Sequence, residues 1–509
     1  MAREVEVKLA LDPAMVTKFR RNPSLKQMAQ GKAATSKLVS TYYDTEDARL
    51  RRAGLTLRVR QIGDRRLQTV KGEAAKNNPY DRFEAETEIA GDMPDLTVVQ
   101  VEAVHQALGG AELKPVFVTE IERTIWQLEM EGARMECALD QGRISVPGAG
   151  DLTEPVCEVE LELISGPPVR LFEVAKALNA HTPLRIDLTT KAKRGYILGT
   201  EIEPEATASD APALKAKYTT RIAFAEILRS CLLQILANEK VARLGVDIEG
   251  VHKMRVGLRQ MRAALTLFKD VLPALEREGM AVALKDFQRC LGEARDLDVF
   301  LEETLRPLSE HFPDEAGLAL LIEAAQAERG KAYDALRAAM DQPSFTDLLL
   351  DLEIWIHGWR HDDEGAGSAP PSDVNDWLDR PVKDFAAKAL NKRYRKVGKL
   401  GRHIKDLPMP ELHALRIELK KLRYGVEFFA SLYPASKSKR LLRRLKDLQN
   451  VLGDINDSVA HRQLLDRLHK AGSERAEGLI LGWSAGRAAI ERDELEDLWD
   501  DFVEIKPFW

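Results

Sequence analysis

The sequence predicts an α+β protein in two halves, antiparallel strands over the first 200 residues and helices from there on. Three observations carry this. The opening MAREVEVKLA alternates Glu4, Glu6 and Lys8 with Val5, Val7 and Leu9, the period of a strand with one charged and one apolar face. Short alternating runs recur up to about residue 200 and end in Gly, Pro or Asp turns. From Tyr218 onward the apolar period becomes helical and stays so.

A chain of 509 residues is long enough for at least two domains. Its 44% hydrophobic content suits a globular protein, and no apolar run approaches the ~18 residues of a membrane span. A charged strand opens the chain, so no secretory signal is expected. Cys137, Cys157, Cys231 and Cys290 are scattered, with no CxxC pair, which argues against a disulfide framework or zinc site and suits a reducing cytoplasm. The net charge of −6 announces no polyanion partner, so any such partner must come from local clusters.

In the first half the runs GLTLRVR, RLQTVKG, RFEAETEIA, ERTIWQLEM, ARMECALD and EPVCEVELELIS read as strands, and helices are expected near 97–108 and 169–179. Residues 201–217 read as a linker, from a Pro/Ala/Asp-rich stretch without periodicity. A second soft stretch, 357–376, divides the helical half into parts of about 218–356 and 377–509. The division matches an internal repeat. HKMRVGLRQMR and HALRIELKKLR start at His252 and His413, and LKDFQRCLGEARD and LKDLQNVLGDIND start at Leu284 and Leu445, both at an offset of 161 residues. Two similar helical bundles follow from this.

Read by parity, the strands put charge on one face: Glu4, Glu6 and Lys8; Arg58 and Arg60; Lys71; Glu84, Glu86 and Glu88; Arg123; Asp140; Glu158, Glu160 and Glu162, with Lys191 and Arg194 after them. A solvated outer face would suit any one strand. Paired glutamates and paired arginines at strict i, i+2 spacing, with helices available to cover the apolar faces, suit a closed barrel with a polar interior. Carboxylates suit hard cations such as Mg²⁺ or Mn²⁺, while Arg and Lys suit phosphate oxygens. The sequence has no GxxxxGK[ST] loop and no GxGxxG, so phosphates would not be cradled by a P-loop or a Rossmann turn.

EVEVKL resembles the ExExK signature of the CYTH superfamily, the triphosphate tunnel metalloenzymes. YYDTEDARLRRAGLTLRVR, EVELEL and TKAKRGY are similar to that family's later blocks, in the same order, and the resemblance covers about 1–200. It implies an eight-stranded tunnel barrel acting on compounds that bear a triphosphate. It further implies Glu4, Glu6, Glu160 and Glu162 as metal ligands, with Glu84, Glu86 and Glu158 as further candidates. Arg58, Arg60, Lys71, Arg123 and Lys191 would hold phosphate oxygens, Lys8 would sit near the reacting phosphorus, and Asp140 would orient a basic neighbour or a metal-bound water. Thr190 stands before the late lysine where many relatives carry Ser.

In the helical half, His252, Arg255, Arg259 and Arg262 are spaced 3, 4 and 3, and His413, Arg416, Lys420 and Arg423 repeat the spacing. At ~100° per residue each set falls within about 80° of one helix face. No acid lies among 252–262, so helical salt bridging does not explain the first stripe, and Lys285 and Lys446 occupy equivalent places in the second motif. A solvated basic face is the ordinary fate of such a run, but its repetition favours a polyanion-binding groove. Adjacent arginines would repel a metal ion, and only Tyr394 and Tyr424 lie near for base stacking, so nucleic acid is disfavoured. His357 and His361, at i, i+4 spacing, read as incidental. These segments resemble the CHAD domain over about 218–509, which implies binding of inorganic polyphosphate through His252 and His413 and their neighbours.

Together the resemblances imply a cytoplasmic protein, with polyphosphate granules as one place for it. It would hydrolyse inorganic triphosphate to pyrophosphate and phosphate with Mg²⁺ or Mn²⁺, and its helical domain would bind polyphosphate. An adenylate cyclase of class IV type and a nucleoside or thiamine triphosphatase stay open on the same tunnel. So does a non-catalytic polyphosphate-binding scaffold, against which the intact Glu4, Glu6 and Lys8 set argues.

Overall fold

The structure is a computed structural model that describes residues 2–74, 78–148, 152–198, 200, 204–360, 376–468 and 473–509. His361, most of the 357–376 stretch and residues 201–203 of the expected linker lie outside these. The chain divides into two units, Met1–Pro204 with Asp341–Gly358, and Glu205–Met340 with Trp359–Trp509.

The first unit is built on strands β1 (Ala2–Leu11), β2 (Ala29–Asp44), β3 (Leu55–Ile62), β4 (Arg65–Gly72), β5 (Asp81–Ile89), β6 (Lys114–Met130), β7 (Ala133–Ser145), β8 (Thr153–Ser165) and β9 (Leu184–Ile186). Neighbours run β5-β4-β3-β2-β6-β7-β8-β1, and β1 pairs antiparallel with β5 to close an eight-stranded barrel. The short β9 adds to the far end of β1, pairing Leu9 with Ile186. Closure pairs each of the eight barrel strands on both sides and gives it an inner and an outer face. Leu55, Leu57 and Val70 face outward into a cluster with Val99, Val101, Val104 and Leu108 around helix Glu102–Leu108. Alternation therefore sends the intervening Arg58, Arg60 and Lys71 inward.

Two strands escaped the sequence reading, the three-residue β9 and the long β2. β2 is sixteen residues long, but its first half is Gln, Gly, Lys, Ala, Thr and Ser, mostly exposed, and shows no apolar alternation. Only Leu38, Ser40, Tyr42, Tyr43 and Asp44, near its end, are buried. Part of the barrel interior is apolar, where Leu38, Tyr42, Phe117, Ile121, Ile144 and Val156 cluster with Tyr196 of helix Lys191–Ile197 packed against them.

The second unit contains two runs of four long helices among its described residues. Thr220–Leu244, Ile248–Leu267, Ala274–Val299 and Ala316–Met340 form the first, and Val382–Leu400, Met409–Phe429, Ala435–Arg467 and Glu474–Val503 the second. The buried positions repeat at the sequence offset: Met254 with Leu415, Leu258 with Leu419, Met261 with Leu422, each at most 1% exposed. In the first run the third helix passes into a π-helical segment, Phe300–Leu305, and a short helix, Arg306–His311, where the second run continues unbroken to Arg467. Among the described residues no helix is long and apolar enough to cross a membrane.

Helix Pro343–Arg360 stands apart from both runs. Up to Gly358 it groups with the barrel unit, although composition alone assigns it to the first helical repeat. Asn179, 1% exposed, donates to Pro343 O (3.0 Å) and Asp347 Oδ1 (2.8 Å) and accepts from Leu184 N of β9 (2.9 Å). Thr346 Oγ1 donates to Leu184 O at 2.7 Å, and His357 packs on Phe172 with ring centroids 5.2 Å apart. The interval that contains His357 is thus helical up to Arg360, and its imidazole is a packing group. Replacing Asn179 by Ala strands three partners, of which Leu184 N is buried and the other two half-buried, so the variant should lose about 2–4 kcal/mol of stability. The check is the thermal midpoint of the barrel unit's unfolding transition, which should fall while the helical content of the second unit stays.

Candidate active site

The barrel interior encloses a cavity of about 930 Å³ whose wall is rich in charge of both signs. Glu4, Glu6, Lys8, Arg58, Arg60, Lys71, Glu84, Glu86, Arg123, Asp140, Glu160, Glu162 and Lys191 all line it, as the strand parity requires. Glu158 does not line it. It is buried behind, where Lys191 Nζ lies 2.5 Å and Arg194 Nη1 3.3 Å from its carboxylate. The register explains the convergence: Glu6 stands opposite Glu162, Lys8 opposite Glu160, and Arg123 opposite Asp140.

The charges divide into a compensated group and an uncompensated remainder. In the first, Glu160 binds Lys8 Nζ (2.5 Å), Arg123 Nη2 (2.5 Å) and Lys191 Nζ (2.9 Å), and Asp140 binds Arg123 Nη2 (2.6 Å) and Lys191 Nζ (2.7 Å). Burial alone would raise the Glu160 carboxyl, but Lys191, Lys8 and Arg123 outweigh it and hold it well below its ordinary value. Burial likewise opposes charge on Arg123, yet Glu160 and Asp140 hold it well above its own. Oxygens of Asp140, Glu158 and Glu160 lie within 4.8 Å of one another, a spacing that would hold a cation, but the Lys191 ammonium sits at 2.5–2.9 Å from all three. That cluster already has its cation, so Glu158, and Glu160 with its three cations, fit a structural role better than the metal-ligating one expected of them.

At Glu162 and Glu4 burial and repulsion dominate. Burial and then the Glu4 carboxylate, with Glu136 and Glu84 adding to it, push Glu162 up to about 7. Glu4 is raised by burial and by Glu6, against the pull of Lys71, whose Nζ lies 2.6 Å away. Burial would raise Glu6, but Lys8 and Arg82 hold it below its ordinary value. A nest of carboxylates that repel one another in a tunnel wall is chemically suited to a hard divalent cation, so Glu4, Glu6 and Glu162 fit a metal where Glu158 does not. Opposite them the excess is positive. Arg60 forms no ion pair among the described residues, only a 3.3 Å hydrogen bond from Nε to Ser40 Oγ. Burial, then Arg58 and Arg123, push it down to about 10. Arg58 reaches Glu84 only at 3.9 Å and donates to Tyr42 OH at 3.4 Å. Such a group is complete only with an anion beside it.

Sequence reading missed several lining residues, among them Arg82, Glu136, Tyr42 and Arg51. Arg82 lies 3.3 Å from Glu6 Oε1, and Glu136 stands opposite Glu162. Both share strand parity with residues that were singled out, so the signal was present. Tyr42 and Arg51 also line the cavity, but Tyr42 reads as core and Arg51 sits in the short helix Arg49–Arg52. Parity also overreached: Glu88, in step with Glu84 and Glu86, lies beyond the cavity and pairs with Arg65 at the surface at 3.1 Å.

In the second unit the two basic stripes lie on helices Ile248–Leu267 and Met409–Phe429, which pack together. They merge into one face. Burial and then Arg416, Arg259, Arg423 and Arg255 push the Lys420 amine down to about 7, and Arg259 is lowered by burial and by Arg255, Arg423 and Arg416. Arg259 and Lys420 are equivalent across the repeat, and neither forms an ion pair among the described residues. The flanking arginines are held in place by the neighbouring helices. Arg255 Nη1 donates to Gly292 O (3.0 Å) and Asp296 Oδ1 (2.9 Å), and Arg262 Nη1 donates to Gln288 Oε1 (2.5 Å). The clearance is repeated too: a Cβ on Gly292 would lie 3.3 Å from Arg255 Nη1, and one on Gly453 would lie 3.1 Å from Arg416 Nη2. Arg423 Nε lies 3.5 Å from Glu427. His252 is partly buried and pushed down to about 4 by burial and Arg295, while His413 is exposed. Lys285 and Lys446 are exposed, about one turn before Gln288 and Gln449 on their helices.

The raised Glu162 carboxyl has a sign that can be tested. A carboxyl with its folded value near 7 favours the folded state below the ordinary value, and the contribution is lost as pH rises to 7. Between about pH 4.5 and 7.5 the thermal midpoint of the wild type should therefore fall more than that of Glu162→Gln, which keeps a neutral group throughout.

Comparison with known proteins gives two family matches, the CYTH domain over residues 2–196 and the CHAD domain over 226–466. The chain is 29% identical over 204 residues to an inorganic triphosphatase of Haemophilus influenzae, covering 40% of this chain and 56% of that protein. It is 27% identical over 271 residues to an uncharacterized protein of Mycobacterium tuberculosis, covering 52% of this chain and 50% of that one. The chain thus spans about half the length of the curated relatives it matches. Among solved structures, the CHAD domain from the plant Ricinus communis is 28% identical, with a TM-score of 0.46, over 60% of this chain and 98% of that one.

Proposed function

The chain joins a CYTH domain to a CHAD domain, and from that pairing we propose a metal-dependent inorganic triphosphatase whose helical unit binds polyphosphate. The carrying observation is the tunnel's divided charge, a carboxylate nest around Glu4, Glu6 and Glu162 facing the unneutralised Arg60 beside Arg58 and Arg123. A metal–triphosphate complex carries both complements, a cation for the nest and phosphate oxygens for the guanidinium groups. Similarity to an inorganic triphosphatase over the tunnel half supports the same reading.

Bound at Glu4, Glu6 and Glu162, Mg²⁺ or Mn²⁺ would neutralise phosphate charge and lower the pKa of an attacking water. The rest is the work of side chains. Arg58, Arg60 and Arg123 would bind equatorial oxygens and stabilise the charge that develops on the transferred phosphoryl group. Lys8, fixed between Glu6 (3.4 Å) and Glu160 (2.5 Å), stays protonated and orients the reacting end. Asp140, fully buried, keeps Arg123 and Lys191 aimed inward. Phosphate release from tripolyphosphate, ATP and thiamine triphosphate, each with Mg²⁺ or Mn²⁺, tests the substrate class. Tripolyphosphate should give pyrophosphate and phosphate at the highest rate, and a cyclic product from ATP would replace this reading by a cyclase.

Arg60→Ala should lower kcat/KM for tripolyphosphate at least tenfold, since a charge-assisted contact is worth about 1.5–3 kcal/mol. Glu4→Gln should abolish metal-dependent turnover with the circular dichroism spectrum unchanged. Pyrophosphate turned over as fast as tripolyphosphate would argue against a site of triphosphate length.

For the helical unit the prediction is a proton linkage. Lys420, near 7 when free and surrounded by Arg255, Arg259, Arg416 and Arg423, would be raised by a bound polyanion. Affinity for long-chain polyphosphate should therefore be strong below pH 7 and fall roughly tenfold between pH 6 and 8, with uptake of about one proton. Lys420→Arg stays charged and should flatten the profile, and affinity in both proteins should drop steeply with salt. Titration calorimetry on the full chain in two buffers of different ionisation enthalpy reads both quantities.

A further inference from the structure

Three arginines sit on the short helix that follows β2, and only one faces the tunnel. Arg49 Nε and Arg52 Nη2 are bound to Asp47, at 3.1 and 2.6 Å, and so are neutralised outside the barrel. Arg51 lines the cavity and forms no ion pair among the described residues. It is held instead by neutral contacts: Nη1 donates to Tyr196 O at 3.4 Å, and its guanidinium carbon lies 5.4 Å from the Tyr196 ring centroid.

This placement is built in. The fully buried Asp44 accepts four hydrogen bonds, at Oδ1 from Thr45 N (2.7 Å) and Leu50 N (2.9 Å), and at Oδ2 from Arg51 N (3.0 Å) and Tyr196 OH (2.9 Å). One carboxylate thus fixes both the backbone of Arg51 and the helix Lys191–Ile197 that carries Lys191 into the tunnel. Holding a guanidinium so firmly without an acid is costly unless an anion completes it.

Its position tells which anion. Arg51 lines the cavity with Gly54, Leu55 and Ala74, where β3 begins and β4 has ended, so it lies on the rim. Leu55 and Arg60 are separated by about 17 Å of strand at ~3.3 Å per residue. That backbone separation sets Arg51 toward the other end of β3 from Arg60, on the side where phosphates added to a triphosphate would extend. Lys193, exposed and also without an ion pair among the described residues, lines the same mouth. A carboxylate, Glu73, also lines this mouth, packed against Gly54 with its Cδ 3.1 Å from where a Cβ would lie, but it forms no ion pair with Arg51.

We infer that Arg51, with Lys193, forms an outer phosphate subsite that holds the part of a linear inorganic polyphosphate emerging from the tunnel and so favours binding of a fourth phosphate beyond the triphosphate held inside. This rests on the triphosphatase reading of the inner site.

The test compares tripolyphosphate with tetrapolyphosphate in the full-length wild type, Arg51→Ala and Arg51→Lys. In Arg51→Ala the ratio of kcat/KM for the four-phosphate chain to that for the three-phosphate chain should fall at least fivefold. The loss should appear chiefly in KM, and Arg51→Lys should recover part of it. A structural role would lower both substrates alike and follow the thermal midpoint. Equal losses on the two chains, or no loss on either, overturn the subsite while leaving the inner reading intact. If the wild type cleaves neither chain, the inner reading falls. Calorimetric binding without divalent metal then decides the subsite by itself: weaker tetrapolyphosphate binding by Arg51→Ala than by wild type supports it, and identical binding overturns it.

Discussion

The molecule depends on one electrostatic constraint, the carriage of acids and bases inside a closed barrel. Burial of a single charge is prohibitive, and a buried charge persists only with partners. Glu160 meets this by taking three cations, and Asp140 and Lys191 close the same network from adjoining elements. The network holds β1, β6, β7, β8 and the helix after β9 in fixed relation, and so sets the geometry of the charges left unpaired. Uncompensated groups can exist at Glu162 and Arg60 only because the compensated ones beside them hold the wall rigid. Stability is concentrated in one part of the ring and chemical potential in the other.

Much of this could be read from the residues, because a strand reports its inner face at every second position. Glu4, Glu6 and Lys8, or Arg58 and Arg60, are visible without any tertiary information. What parity does not give is depth along the axis. Glu88 and Glu84 are in step, yet one is at the surface and the other in the tunnel, because register with β4 carries Glu88 past the cavity. Nor does it give occupancy: Glu158 has the right face, but Lys191, distant in sequence, satisfies it. β2 was illegible for another reason. Its first half extends where neither face needs to be apolar, so no pattern was selected.

The helical unit was legible through repetition. An offset that holds for motifs, for core leucines and for an arginine over a glycine indicates two copies under the same packing constraint. What the sequence could not show is how the two stripes meet. Arg259 and Lys420 are far apart in the chain, and their mutual repulsion, which makes the face a receptor for anions, arises only when their helices pack together. Nor could it show that Asp296 and Gln288 tether the outer arginines and leave the middle of the face free.

Helix Pro343–Arg360 carries a different consequence. Its residues up to Gly358 complete the barrel unit, while the chain on either side of it belongs to the other unit. The polypeptide therefore passes between the units three times, and no single cut yields either one whole. A gene segment ending at 204 would encode a barrel lacking the residues that cover Asn179 and Phe172, and the remainder would carry a helix shaped for a surface it no longer has. Shuffling by simple fusion becomes a poor route for altering this architecture, and the two halves are bound to be inherited, and to vary, as one.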